Sequence, residues 1–279
     1  MKKWISWEKI WVLCLLGIAL FCFAGPLLSP YSLLQTQIES ALQPPSLRHF
    51  LGTDAVGRDI FTRLMYGGRV SLIVGAGVAA LELILGGSLG MLSGYVGGWF
   101  DRIVMGITDV FLCIPVLPSV LVAAAVLSDL GAQPFVRIAV MMLVIALMGW
   151  PVTARMVRAQ VLAIRKEDYM LACEGLGLPL HRKMLHMVPF LFGQFSVSAA
   201  LSAASAILTE SALSMLGLGV VAPYPSWGNM LQGITDRTVL FSKIWIWLPS
   251  GIAIFLTVLI IHLLGDRLSR RQEQGVQNG

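Results

Sequence analysis

Apolar runs of membrane length alternate with short polar stretches along the chain, and the polar stretches divide it. From Ile10 no charged residue appears until Glu39. A helix needs roughly 20 apolar residues to cross a bilayer core, so residues 10–28 predict a first span, closed by the breakers Pro26 and Pro30. Further runs predict spans at about 70–95, 103–127, 138–154, 189–216 and 245–265. Pro115 and Pro118 predict a kink in the third, and Trp245 and Trp247 an interfacial belt at the start of the sixth.

Two of the polar stretches have internal pattern. Over 51–72 (LGTDAVGRDIFTRLMYGGRVSL), Gly52 and Gly57 permit tight turns, and Asp54, Arg58, Asp59 and Arg63 can pair with one another. Ile60, Phe61, Leu64 and Met65 fall on one helical face, predicting a small helix against the membrane surface or the mouth of the core ahead of the second span. Over 165–189 (RKEDYMLACEGLGLPLHRKMLHMVP), seven residues are Lys, Arg, Asp or Glu. Asp168 is expected to cap a short helix over 169–174, Gly175 and Gly177 to end it, and Pro179 to open a second short helix. Tyr169, Ala172, Cys173 and Leu176 share one apolar side of the first helix. A partly apolar, charge-rimmed helix outside the bilayer is suited to docking; the plainer alternative is a solvated loop with some helical content.

Inside the spans a few residues depart from the apolar rule. Gly86, Gly90 and Gly94 recur every four residues, a ridge that lets two helix backbones approach in lipid. Glu82 and Glu210 lie within spans, where an ionisable group faces the bundle interior or a wet cavity. Each is either a pathway residue or a packing residue held by hydrogen bonds. Ser196, Ser198, Ser202 and Ser205 suit helix contacts or a polar lumen.

Composition places these elements in a class. With 57% apolar and 13% charged residues, the chain has about half the charged share of a soluble domain. It reads as an all-α, multi-spanning membrane protein. The formal charge of +5 does not point to nucleic acid, because the basic residues lie mainly in the stretches between spans. Six spans put both termini on one side; that side, with 165–189, carries thirteen of the 20 Lys and Arg and the other seven. The positive-inside rule makes the first side cytoplasmic, leaving the GTDAVGRD segment and the Trp227 loop outside.

Chemistry is sparse. Cys14, Cys22, Cys113 and Cys173 have no metal-ligand spacing and read as reduced thiols. His49, His181, His186 and His262 are scattered, so no metal site and no catalytic group is expected. The absence of any Gly-Lys dipeptide removes a phosphate-binding loop of the Walker A type. The basic start allows a signal peptide, but its apolar run exceeds the usual core of such a peptide and favours a retained anchor.

The blocks LGTDAVGRDIFTRL, SGYVGGWFDRIVMGITDVFLCIP, DYMLACEGLG through HMVP, ESALSMLGLGVVAPYPSWGNML and LLGDRL, in that order, resemble the permease subunits of peptide and nickel ABC importers. The likeness is to the second of their two paired permeases. It implies the type I importer permease fold with six transmembrane helices, in the cell inner membrane, forming half of a translocation pathway. It also implies a homologous second permease, two cytoplasmic ATPase subunits that use the ATP, and an extracytoplasmic solute-binding protein. No cofactor is implied for this chain.

In that family the cytoplasmic loop seats in an ATPase groove. Leu171, Ala172 and Cys173 stand where its Glu-Ala-Ala would be, and Gly177 matches its glycine. The resemblance thus implies ATPase coupling through Asp168, Tyr169, Leu171, Ala172, Leu176 and Gly177, and a binding-protein contact at Trp227 and Asn229. The tail departs from the family, lacking the usual Asp-Pro ending, and the first fifty residues match only as an anchor. The chain then divides into an anchor and extracytoplasmic segment (1–68), a permease core (69–268) with its coupling loop (163–189), and a tail (269–279). The reading from another class is a self-contained secondary transporter or channel, which calls for an internal repeat or paired broken helices around buried charges.

Overall fold

The computed structural model describes residues 7–27 and 29–277. The first lysines of the basic start and Leu28 of the expected first span lie outside them. Among the described residues five helices are long and apolar enough to cross a membrane, or six if one bent pair forms a single span.

The first of them, α1 (Trp7–Ala24), ends in a 3-10 turn at Gly25–Leu27. The polar segment 29–59 then folds back on itself, and α2 (Ile60–Glu82) starts where the Asp59 carboxylate accepts the Thr62 amide at 2.8 Å. A carboxylate at this position satisfies an amide that the helix leaves open. Through a π-helical turn at Leu83–Gly87, α2 continues into α3 (Ser88–Val96). The expected surface helix before the second span is therefore the first turns of one helix of 37 residues. Satisfying the backbone within one helix is cheaper than breaking it at the interface. The 68/69 division falls inside this helix.

The predicted kink in the third span is larger than a kink. Here α4 (Gly98–Cys113) and α5 (Val116–Asp129) meet at Ile114–Pro115 with a bend of 74°. Proline removes an amide and excludes helix from the residue before it, and Ile114 is extended. Pro118 lies in the first turn of α5, where it fits without distortion.

The fourth span is longer than its apolar run, α6 reaching from Pro134 to Ile164 with Pro151 inside it. After the short α7 (Asp168–Gly175) comes α8 (Leu180–Met215), one helix of 36 residues. The expected second short helix and fifth span are this single element, and Pro189 does not divide it. Two short helices follow, α9 (Trp227–Met230) and α10 (Arg237–Ser242), and α11 (Leu248–Gln277) closes the chain, running past the expected stop at Gly265.

Two ends of the bundle are distinguished below: the cap end, with segment 29–59, α9 and α10, and the loop end, with α7. The glycine ridge packs as expected. Gly86, Gly90 and Gly94 lie against the α6 backbone at Trp150, Ala154 and Arg158, where any added Cβ would collide. Such contact replaces the hydrophobic drive that lipid does not supply. At its loop end Arg158 of α6 holds Asp101 of α4 through two bonds of 2.5 Å.

Candidate functional site

The loop-end site is α7 and its turns. Glu167, not Asp168, stands at the N-cap, and no side chain closes that end. Asp168 is instead the first helical residue, exposed, where its charge suits the helix dipole. Gly177 ends the turn at φ +65, a conformation that favours glycine.

What fastens α7 to the bundle is a residue that the apolar-face argument passed over. Met170 is 0% exposed, packed among Tyr95, Val157, Val161, Ile164, Met187 and Leu191. Tyr169 turns inward beside it and stacks on Phe190 at 4.6 Å; burial, then the Glu167 charge, push its phenol upward in pKa. A second fastening comes from Arg165, which donates to the Tyr95 carbonyl at 2.9 Å and lies over that ring at 5.3 Å. The Tyr95 hydroxyl in turn reaches Glu174 at 3.3 Å. Leu171, Ala172 and Leu176 remain on the exposed side, Leu176 77% exposed. Of the six residues assigned to this surface, Tyr169 therefore holds the helix down.

Mid-bundle, the two glutamates are enclosed by hydroxyls. Glu82 accepts from Ser202 of α8 at 2.5 Å and Thr153 of α6 at 3.5 Å. Gly149 faces it, and a side chain there would strike the carboxyl group. Glu210, 0% exposed, accepts from Ser71 of α2 at 2.9 Å and from Ser214 and Ser211 of α8 at 2.7 and 3.4 Å. Ser214 also takes the Val220 amide at 3.0 Å, tying the network to the loop after α8. A buried polar group with partners is tolerable where an orphan is not, and both carboxyls join helices through these hydroxyls. Of the serine set, Ser202 serves Glu82, whereas Ser196 bonds back to Phe192 of its own helix.

At the cap end one of the two expected contact residues, Trp227, is internal and the other, Asn229, is half-buried. Trp227 is 1% exposed and donates its indole N–H to the Leu64 carbonyl at 2.9 Å. Its ring fills the space over Gly68, beside Cys22. Asn229 completes a capping box with Ser226 and donates to the carbonyls of Val220 and Tyr224 at 3.0 and 2.8 Å. Trp227 thus belongs to the core, and the exposed part of this loop is Ala222, Pro223 and Tyr224. A cavity of about 300 Å³ nearby is lined by Arg58, Arg63, Asn229 and Gln232 together with the apolar Ile60, Met230, Val239 and Ile246. The expected ion pairing holds for Asp54, which meets Arg58 at 2.7 Å and Arg63 at 3.7 Å. Asp59 differs, since its partner is His49 at 2.9 Å.

Long apolar helices, a close-packed glycine ridge and a fastened helix outside the spans define a multi-pass membrane protein. Residues 86–277 match the family described as binding-protein-dependent transport system inner membrane component, and the chain belongs to that family. The dipeptide transport system permease protein of Alkalihalophilus pseudofirmus is 38% identical over 252 residues, 90% of this chain and 79% of its own length. The oligopeptide transport system permease protein of Bacillus subtilis is 35% identical over 253 residues, 90% and 80%. The same organism's dipeptide transport system permease protein is 37% identical over 258 residues, 91% and 78%.

Proposed function

We propose that this chain is one of two paired permeases of an ATP-driven importer of peptides, with its loop end in the cytoplasm and its cap end outside. The relatives' names favour peptides over nickel as cargo. The ATP is used by two partner ATPases. A solute-binding protein delivers cargo at the cap end, against Ala222–Tyr224 and the rim around Asn229, not against the Trp227 ring. The second permease supplies the other half of the pathway.

One observation carries this reading: α7 is anchored by Met170, Tyr169 and Arg165 and still presents Leu171 and Leu176 to its surroundings. A helix fixed at its base transmits a push into the elements that flank it, here the 31 residues of α6 and 36 of α8. Closure of the ATPase pair would move α7 as a lever and swing these helices as rigid bodies between two access states.

The test is ATP hydrolysis and uptake by the whole complex in lipid vesicles, comparing native protein with Gly177→Pro and Ala172→Arg. Both variants should assemble yet lose hydrolysis stimulated by the binding protein, together with uptake. Uptake by this chain without any ATPase would instead establish the self-contained transporter.

A further inference from the structure

At the cap end, the last turn of α1, the first turns of α2 and the segment joining them enclose a cavity of about 360 Å³. Its wall is aromatic: Phe61 meets Phe21 and Phe50 edge to face, with centroids 5.6 and 5.9 Å apart. Gly25 and Met65 form the floor, and Leu47 stands at the mouth, apolar and 95% exposed. Phe21 and Met65 belong to the cap-end turns of two spans, so the cavity lies at the depth where hydrocarbon meets headgroups. The adjoining surface of α1 is apolar and uncovered at Leu13, Leu16 and Leu20.

The polar groups of the lining are Ser29, Tyr31, Arg48 and Asp59; the Ser29 hydroxyl pairs with Thr62 at 2.6 Å and Tyr31 donates to the Arg48 carbonyl at 2.8 Å. Asp59 is occupied by His49 at 2.9 Å and by the Thr62 amide at 2.8 Å. Arg48, exposed at the rim, has no carboxylate within ion-pair distance among the described residues. An apolar pocket at interface depth with one free guanidinium at its edge matches a molecule with a hydrocarbon tail and an anionic head. Arginine forks are suited to phosphate, and basic pockets at span ends hold lipid headgroups.

We propose that this cavity is a phospholipid site, with an acyl chain against Phe21, Phe50 and Phe61 and the phosphate on Arg48. The inference needs only that the helices cross a bilayer. It stands or falls separately from the cargo and from the ATPase coupling.

The test uses the purified complex in nanodiscs of equal phosphatidylglycerol and phosphatidylcholine, extracted into mild detergent, with retained lipid counted by native mass spectrometry. The expected result is one phospholipid retained per copy of this chain, with phosphatidylglycerol preferred. Arg48→Gln should reduce that preference by about fivefold, the effect of one basic side chain near a headgroup. Gly25→Trp, which fills the floor where an added Cβ already meets the flexible Met65 side chain, should abolish retention. Should that variant not assemble, a benzoylphenylalanine at Phe50 in the otherwise native chain decides the matter. Irradiation should add the mass of one phospholipid. A cross-link to a protein at that position overturns the proposal, as does lipid retention unchanged in an assembled Gly25→Trp complex.

Discussion

Two polar excursions leave the spans, one at each end of the bundle, and they are built on opposite principles. Segment 29–59 closes on itself. Thr53 donates to the Ser40 carbonyl at 2.5 Å, Asp54 gathers Arg58 and Arg63, Asp59 holds His49, and Tyr31 stacks on the His49 ring at 4.6 Å. In the loop-end excursion α7 buries only Met170, and Leu171, Leu176, Leu180 and Leu185 are exposed. Networks whose members are all satisfied rigidify a structure. The cap end is therefore held by a satisfied polar network, although Ile38, Leu47 and Phe50 stand exposed on it, whereas the loop end is held chiefly by packing around Met170.

That contrast can be broken most severely at Gly57, which has φ +77 and faces the Gln37 carbonyl at a distance that admits no side chain. Gly57→Val is expected to cost about 3 kcal/mol or more, through combined strain and collision. The readout is the thermal midpoint of the purified complex, and an unchanged midpoint would mean that the cap is not a stability element. Next is Asp59→Ala, which removes the cap of α2 and strands the buried His49. A loss of about 2 kcal/mol follows from one N-cap and one buried hydrogen bond, and Asp59→Asn should recover the capping part of it.

Equivalent changes at the loop end should be small in stability and large in coupling. Gly177→Ala keeps φ +65 in open space, with nothing within 4 Å of the added methyl group. About 1 kcal/mol of local strain is expected, with little change in the thermal midpoint and a clear fall in stimulated ATP hydrolysis. Smallest is Leu176→Ala, worth under about 0.5 kcal/mol in the isolated complex because the side chain touches little. It should nevertheless weaken hydrolysis stimulated by the binding protein. A midpoint shift as large as that of Asp59→Ala would place Leu176 in the fold and remove it from the docking surface.

How far these features are visible in the chain itself differs by residue. The glycine ridge is legible because its four-residue period and its cause, close helix approach, are both local to one helix. The burial of Glu82 and Glu210 is legible because charge in a bilayer has few other places to go. The face that α7 buries is not legible. In eight residues Tyr169, Met170, Leu171, Ala172 and Cys173 are consecutive and non-polar, so they surround the helix. Only the positions of Val157, Val161 and Ile164 on α6 and of Met187 and Leu191 on α8 select Met170 as the anchor. Trp227 is a similar case: an aromatic residue in an outer loop reads as a contact, and its burial follows from Gly67 and Gly68 leaving room on α2.

The approximate places of the apolar spans and the break at Pro115 follow from the sequence alone. In a bilayer each helix must satisfy its own backbone, and that requirement is met residue by residue. The tertiary structure decided where helices continue through polar stretches, as α2 and α8 do, and how sharply α4 turns into α5. It also decided which hydroxyls receive the two glutamates and which side of α7 faces outward. These outcomes depend on contacts between residues far apart in the chain, such as Ser71 with Glu210 and Leu64 with Trp227, and no local pattern carries that information.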